Sequence, residues 1–180
     1  ERLSWHEAAA FANAVSDSEG LEQCYACTGS GSSTECTVEV SPYSCDGYRL
    51  PTEAEWEAAA RCGEDLPYAG SASIDEVAWY AATSASRTHA TATKAENACG
   101  LYDMTGNVWE WTQDIYRETF YSFTPTHDPV FAAEEWGDRM TLRGGAWNNG
   151  ATSCRVSSRR WDYANTRDNR TGVRLVKISH

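Results

Sequence analysis

The chain has 180 residues and a formal net charge of −11 at pH 7, with eight Trp and nine Tyr. This length fits one domain, and so many aromatic residues exclude intrinsic disorder. The negative charge excludes general nucleic-acid binding, and no apolar run is long enough for direct membrane insertion. The sequence therefore predicts a single folded domain over residues 1–180.

Two helices are predicted in the N-terminal part, each by a capping box. Ser4 precedes Glu7 in SWHEAAAFANAVS, and Thr52 precedes Glu55 in PTEAEWEAAARCG. In this arrangement a hydroxyl and a glutamate satisfy the free N–H groups at the start of a helix. Alanines and a tryptophan follow at helical spacing, and Gly63 is expected to end the second helix. Both helices are therefore expected to bury one face.

Four cysteines between these helices have the spacing C-x2-C-x8-C-x8-C. Zinc sites usually use two close pairs or add histidines, whereas here one close pair is followed by two wide gaps. The Gly/Ser loop favours a hairpin closed by Cys27–Cys36, with Cys24–Cys45 around it, over a zinc site. Disulfides indicate an extracellular, cell-surface or periplasmic location. Three cysteines remain: Cys62, Cys99 and Cys154. Because their number is odd, at least one thiol is expected to be free unless it pairs between chains.

Beyond the second helix, short segments lie between turn-forming residues. MTLRGGAW and GVRLVKI read as strands. In the second of these, Val173, Leu175 and Ile178 share one side, and Arg174 and Lys177 face away. Two helices followed by short strands and long loops predict an α+β fold with much irregular backbone.

The motif GLYDMTGNVWEW places a carboxylate among aromatic residues. Trp109 and Trp111 alternate with Glu110, so both indoles are expected to enter the core on one side. A buried carboxylate without a partner is costly. Either an arginine, Arg143 or Arg174, or a hard cation such as Ca2+ is therefore expected to neutralise it, and the residues alone leave both open.

The charge is distributed unevenly along the chain. Residues 139–180 hold nine Arg and Lys against two Asp, which is +7 and leaves −18 for the preceding residues. One interpretation is that the two parts pack together and their charges offset each other. The other is an arginine-bearing patch for an anionic or carbohydrate-like ligand.

Four motifs, in this order, resemble the formylglycine-generating enzyme (sulfatase-modifying factor) family: YRLPTEAEWEAAAR, NACGLYDMTGNVWEW, LRGGAW and TGVRLVK. The likeness extends from about residue 3 to residue 178. It implies a C-type lectin-like fold with two helices, short antiparallel strands and much irregular loop. The family's N-terminal strands are expected to lie before residue 1.

The resemblance also implies a structural Ca2+ site in the GNVWEW turn, held by three backbone carbonyls and one carboxylate. The matching positions are Thr105, Gly106, Val108 and Glu110. The family's oxidases bind copper through two cysteines five residues apart, and the matching positions here are Asn149 and Cys154. Because an amide is a poor ligand for Cu(I), neither copper nor oxidase chemistry is expected. Cys154 is interpreted as a small buried core residue.

Residues 142–175, here called the C-terminal segment, further resemble the variable proteins of prokaryotic diversity-generating retroelements. In that group, mutagenesis at the adenines of Asn codons scatters residues over a ligand-binding face. An AAC or AAT codon changed in this way cannot encode Lys, Glu, Gln, Met or Trp. From Asn148 to Gly172, only Trp161 lies outside the reachable set. The resemblance therefore predicts a non-catalytic domain that binds an unknown protein or carbohydrate through this segment.

Ten residues are expected to point outward and form the candidate binding surface: Asn148, Asn149, Ser153, Ser158, Arg160, Asp162, Tyr163, Asn165, Asp168 and Arg170. Arg155, Arg167 and Arg174 are expected to pair with carboxylates or aromatic faces in the frame below it. One tryptophan layer is expected to complete that frame: Trp56, Trp109, Trp111 and Trp147. A formylglycine-generating-type copper oxidase and a non-variable accessory domain of a larger surface protein remain the alternatives. No oligomeric state is predicted.

Overall fold

A computed structural model of the protein describes residues 1–38, 40–122, 127, 129–130 and 137–178. Its α-helices are α1 (Trp5–Glu19), α2 (Glu53–Arg61) and α3 (Ile74–Val77). Its strands are β1 (Tyr25–Thr28), β2 (Glu35–Val38), β3 (Trp109–Ile115), β4 (Arg139–Arg143), β5 (Arg159–Tyr163) and β6 (Thr171–Gly172). The predicted α+β class with short strands and long loops is confirmed.

Both predicted capping boxes are present at the starts of α1 and α2. The second helix ends at Arg61, and Cys62 and Gly63 both adopt left-handed backbone conformations there. The short helix α3 was not expected from the sequence. Its four residues are too few to show a helical repeat of apolar positions.

The strands form two sheets. β1 and β2 are an antiparallel hairpin, and the larger sheet has the order β5-β4-β3-β6, with β6 parallel to β3. The predicted strand GVRLVKI is shorter than expected, because only Gly172 of it lies in β6 and Val176 makes an isolated bridge to Arg49. Arg174 therefore does not face away from the protein. It turns back toward Glu110.

The core lies on both faces of the larger sheet. Trp109 and Trp111 are buried with the alanine face of α1, as the alternation with Glu110 predicted. Trp56 of α2 belongs to a separate cluster with Met104. Its indole N–H donates to Glu110, which alternation places on the other face of β3. The expected single tryptophan layer is therefore wrong, and Trp147 is only half-buried.

The predicted nested disulfides are confirmed as Cys24–Cys45 and Cys27–Cys36, and a third joins Cys62 to Cys99. Cys154 is a free, buried thiol. Three disulfides indicate an oxidising environment. Within the described residues, no group of three or more His, Cys, Asp or Glu is arranged to hold a metal ion. In the same residues, no helix has the length and apolar character needed to span a membrane.

Candidate functional site

The C-terminal segment is fixed to the rest of the chain at intervals along its length. The Trp147 N–H donates to the Asn107 carbonyl at 2.8 Å, and the Val156 N–H donates to the Pro67 carbonyl at 3.0 Å. The turn before them needs glycine, because Gly145 has a φ of 81° and a Cβ there would lie 2.5 Å from the Cys154 sulfur. The segment is therefore an ordered part of the domain.

Most basic residues of the C-terminal part pair with acidic residues of the N-terminal part. Arg143 contacts Glu53 and Glu57, and Arg159 also pairs with Glu53. Three further pairs connect the two parts in the same way: Arg167–Glu7, Arg174–Glu110 and Lys177–Glu19. The interpretation that the opposite charges offset each other by packing is therefore confirmed.

Glu53 is the most deeply buried acid of these pairs. Its side chain and that of Arg143 are both fully buried. The Arg159 guanidinium donates to both Glu53 oxygens, at 2.5 and 2.7 Å. Burial lowers the pKa of Arg159 and the hydrogen bonds to Glu53 raise it, and the net shift is upward. Arg159 is therefore a fixed residue inside the segment of adenine-reachable codons.

The predicted frame arginines differ from one another. Arg174 donates to both oxygens of Glu110, at 3.0 and 2.9 Å, and Arg167 pairs with Glu7. The prediction that Arg155 belongs to the frame is wrong, because this residue is exposed and makes no ion pair with the described residues. Sequence position alone did not separate these arginines, since each partner lies far away along the chain.

Glu110 has the arginine partner that the sequence left open as one of two solutions. Attraction to Glu110 raises the pKa of Arg174, and Asp103 adds to that effect. The indole of Trp56 also donates to Glu110, at 2.7 Å. A carboxylate has about four acceptor positions, so three N–H donors leave one for an ion held mainly by carbonyl oxygens. Glu110 and Asp103 together also exceed the charge of Arg174 by one negative unit.

A weak Ca2+ site at Glu110 is still expected, with the carbonyls of Thr105, Gly106 and Val108 as the other ligands. The site remains a prediction. Chelation of calcium is expected to lower the melting temperature by a few degrees, since an ion that binds only the folded state stabilises it. Glu110→Gln is expected to abolish this response to calcium. An unchanged melting temperature of the parent chain on chelation contradicts the site.

The two positions that match the family's copper cysteines have other roles here. The Asn149 side-chain oxygen accepts the Ala146 N–H at 3.0 Å, so it closes the turn after β4. Cys154 is fully buried. Burial raises the pKa of its thiol to about 11, although a backbone hydrogen bond from Ala146 opposes the shift. A thiol with this pKa is protonated at neutral pH and is a poor nucleophile and metal ligand.

The ten residues of the candidate binding surface are exposed to different degrees. Asn148, Tyr163 and Asn165 are exposed, whereas the other seven are half-buried. Two neighbouring ion pairs tie down four of the half-buried residues: Arg160–Asp162 and Arg170–Asp168. The Ser158 hydroxyl donates to the Thr152 carbonyl, and the Asn149 side chain accepts the hydrogen bond that closes the turn after β4. The free side chains of the surface are therefore fewer than the sequence suggested.

The structure brings parts of this surface together. The indole N–H of Trp147, next to Asn148, donates to the Asn169 carbonyl at 3.1 Å. The Arg160 guanidinium lies 5.9 Å from the centre of the Trp109 ring, and the Trp109 backbone N–H donates to the Arg170 carbonyl. The turn after β4, one side of β5 and the loop before β6 therefore adjoin each other.

A loop that the sequence did not connect with this surface borders it. The Ala81 N–H donates to the Asn149 carbonyl at 3.0 Å, and the Ser84 hydroxyl donates to the Trp147 carbonyl at 2.7 Å. His89 stacks on Trp79 with ring centres 3.7 Å apart. Small and polar residues gave no periodic signal there. A hydrogen bond from a hydroxyl to a carbonyl far away along the chain cannot be predicted from a sequence motif.

The comparisons with known proteins agree with this geometry. Residues 1–178 match the family described as the sulfatase-modifying factor enzyme 1-like domain. Among solved structures, Treponema denticola variable protein 1 is 32% identical, with a TM-score of 0.85, over 97% of this chain and 69% of that chain. Formylglycine-generating enzyme of Streptomyces coelicolor is 33% identical in an alignment that covers 70% of this chain and 44% of that enzyme. Hercynine oxygenase of Mycolicibacterium thermoresistibile is 36% identical in an alignment that covers 72% of this chain and 32% of that enzyme.

The chain thus spans less than half of the two enzymes and about two thirds of the variable protein. The family match covers all three α-helices, both sheets and the whole of the C-terminal segment. The resemblance drawn from four sequence motifs is confirmed. This chain belongs to the sulfatase-modifying factor enzyme 1-like family.

Proposed function

We propose that this chain is a non-catalytic ligand-binding domain whose C-terminal segment is a surface diversified by a retroelement. The observation that carries the proposal is the likeness to Treponema denticola variable protein 1 over 97% of this chain, together with the adenine-reachable composition of Asn148–Gly172. The ligand is a protein or a carbohydrate outside the cytoplasm, on a prokaryotic cell surface or in the periplasm.

The distribution of burial within the segment supports this proposal. Asn148, Tyr163 and Asn165 are exposed, so substitutions there leave the core unchanged. Surface changes of this kind usually alter stability by less than about 0.5 kcal/mol. Asn, Ser, Tyr, Asp and Arg are also the adaptable and amphipathic residue types that diversified binding surfaces use. Variation at these positions therefore changes recognition at little cost to folding.

The alternative that a specific observation favours is a formylglycine-generating-type oxidase, because formylglycine-generating enzyme and hercynine oxygenase are identical to this chain at about a third of the aligned positions. Against it stand Asn149 in place of the first copper cysteine and the buried thiol of Cys154. One protonated thiol is a poor substitute for the two thiolates that hold Cu(I).

Copper binding and thiol reactivity distinguish the two functions. The native chain is expected to retain no Cu(I) after desalting and to convert no cysteine-containing peptide. Cys154 is expected to be alkylated roughly 100-fold more slowly at pH 7.5 than a free cysteine, because its pKa of about 11 lies above the usual value. The alkylation rate should rise with pH until that pKa is reached. Stoichiometric Cu(I) with peptide turnover would establish the oxidase instead.

A further inference from the structure

Three side chains form an aromatic and cationic cluster where β4 and β5 pair. Arg139 is directly opposite Tyr163, and Thr141 is opposite Trp161, so alternation places all of them on one face. The Arg139 guanidinium lies 4.2 Å from the Trp161 ring centre and 6.0 Å from that of Tyr163. The two rings meet edge to face at 5.4 Å. β5 is the edge strand of the sheet, so this cluster borders solvent.

Apart from the contacts of Arg139 with the two rings, the polar groups of this cluster have no hydrogen-bond or ion-pair partner within the described part of the chain. Arg139 is exposed and forms no ion pair there, although most other basic residues of β4, β5 and the C-terminus do. Tyr163 is 47% exposed, and neither its hydroxyl nor the Trp161 indole N–H has a hydrogen-bond partner among the described residues. A protein of net charge −11 therefore has at this point a cation and two further donors for which the described residues supply no acceptor.

Two members of this cluster do not vary under adenine-directed mutagenesis, if the proposed function holds. Trp161 is the one residue of Asn148–Gly172 that mutated Asn codons cannot encode, and Arg139 lies outside the C-terminal segment. Tyr163 and its neighbour Asn165 are reachable. The cluster thus combines a constant cation and a constant indole with adjustable residues beside them.

We propose that Arg139, Trp161 and Tyr163 are an anchor for an acidic segment of a protein ligand. A guanidinium binds carboxylates through paired, charge-assisted hydrogen bonds, and the unpaired Arg139 supplies the complementary charge. Trp, Tyr and Arg are the residue types that dominate binding energy at protein interfaces. Arg139 and Trp161 supply affinity shared by all variants, and the adjustable residues Tyr163 and Asn165 supply specificity. This inference rests on the proposed function and deepens it.

The test uses the full chain and a synthetic peptide of alternating glutamate and glycine, with a glutamine–glycine peptide as the neutral probe. The Trp161 indole N–H resonance is assigned with Trp161→Phe and followed during titration. The acidic peptide is expected to shift this resonance, and the neutral peptide is not. Arg139→Gln is expected to weaken binding about tenfold. Arg155→Gln, which removes another exposed arginine without an ion pair to the described residues, is expected to leave affinity unchanged.

Several results overturn the proposal. Equal losses for Arg139→Gln and Arg155→Gln show that the peptide responds only to general charge. Tighter binding of polygalacturonate than of the acidic peptide assigns the cluster to carbohydrate, and a Trp161 shift that depends only on protein concentration assigns it to a second copy of this chain. A resonance that does not move removes the anchor altogether. None of these results bears on whether the segment is diversified, so the proposed function stands or falls separately.

Discussion

Replacement of Arg159 by serine is expected to lower the free energy of unfolding by about 3–5 kcal/mol, the usual cost of breaking a buried ion pair from one side. Glu53 is fully buried, and Arg159 donates to both of its oxygens. The remaining cation, Arg143, lies 3.6 Å from Glu53 and is shared with Glu57. Serine is too short to reach Glu53, so the buried Glu53 carboxylate keeps only one of its two neighbouring cations, Arg143. Denaturant unfolding measures the loss.

The matched control lies in the same segment. Asn165→Ser changes an exposed residue whose side chain makes no hydrogen bond within the described residues, and its effect is expected to stay below about 0.5 kcal/mol. Glu53→Gln combined with Arg159→Ser should cost less than the sum of the two single changes, because both remove the same interaction. Similar losses for Arg159→Ser and Asn165→Ser, or additive losses in the cycle, contradict the assignment of Arg159 to the frame.

Removal of the Cys62–Cys99 disulfide by a double alanine substitution is expected to lower the free energy of unfolding by about 4 kcal/mol. This value follows from the length of the loop that the disulfide closes, since the two cysteines are 37 residues apart. Cys62 is the cap residue of α2, and near Cys99 the Asn97 amide donates to the carbonyls of Ala59 and Ala60. The disulfide thus holds the end of α2 beside the approach to β3. Thermal and denaturant unfolding of the oxidised variant measure the effect.

The hairpin disulfide Cys27–Cys36 provides the comparison. Its sequence separation is 9, so the chain-entropy relation gives about 3 kcal/mol for the same double substitution. The loss should therefore be roughly 1 kcal/mol smaller than for Cys62–Cys99. Intact mass after alkylation in denaturant without reductant should count three disulfides and one thiol. An equal or reversed order of the two losses contradicts the loop-closure explanation.

Local signals in the sequence were sufficient for much of this fold. Ser4 with Glu7 and Thr52 with Glu55 defined the helix starts, because both partners of a capping box lie within one turn. The Gly/Ser loop after Cys27 defined the hairpin disulfide. The alternation around Glu110 correctly placed two tryptophans in the core.

Long-range partners could not be predicted in the same way. Glu53 and Arg159 are 106 residues apart, and the sequence around each residue gives no signal that it pairs with the other. The strand expected in GVRLVKI is shorter in the structure, and its Arg174 pairs with Glu110, 64 residues away. For the candidate binding surface, composition identified residues that can vary. It could not separate Asn149, which closes a turn, from Asn148, which is exposed.

The most direct test of the proposed diversification compares the coding sequence of residues 142–175, in many cells of the source population, with near-copies of that sequence in the adjacent DNA. Diversification by a retroelement predicts a neighbouring reverse transcriptase and a near-copy that differs from the coding sequence at adenines alone, within the codons of Asn148–Gly172. The Arg159 codon should be conserved among functional copies, and Tyr163 and Asn165 should vary. The absence of a near-copy, or differences spread over all four bases, would contradict diversification of this surface.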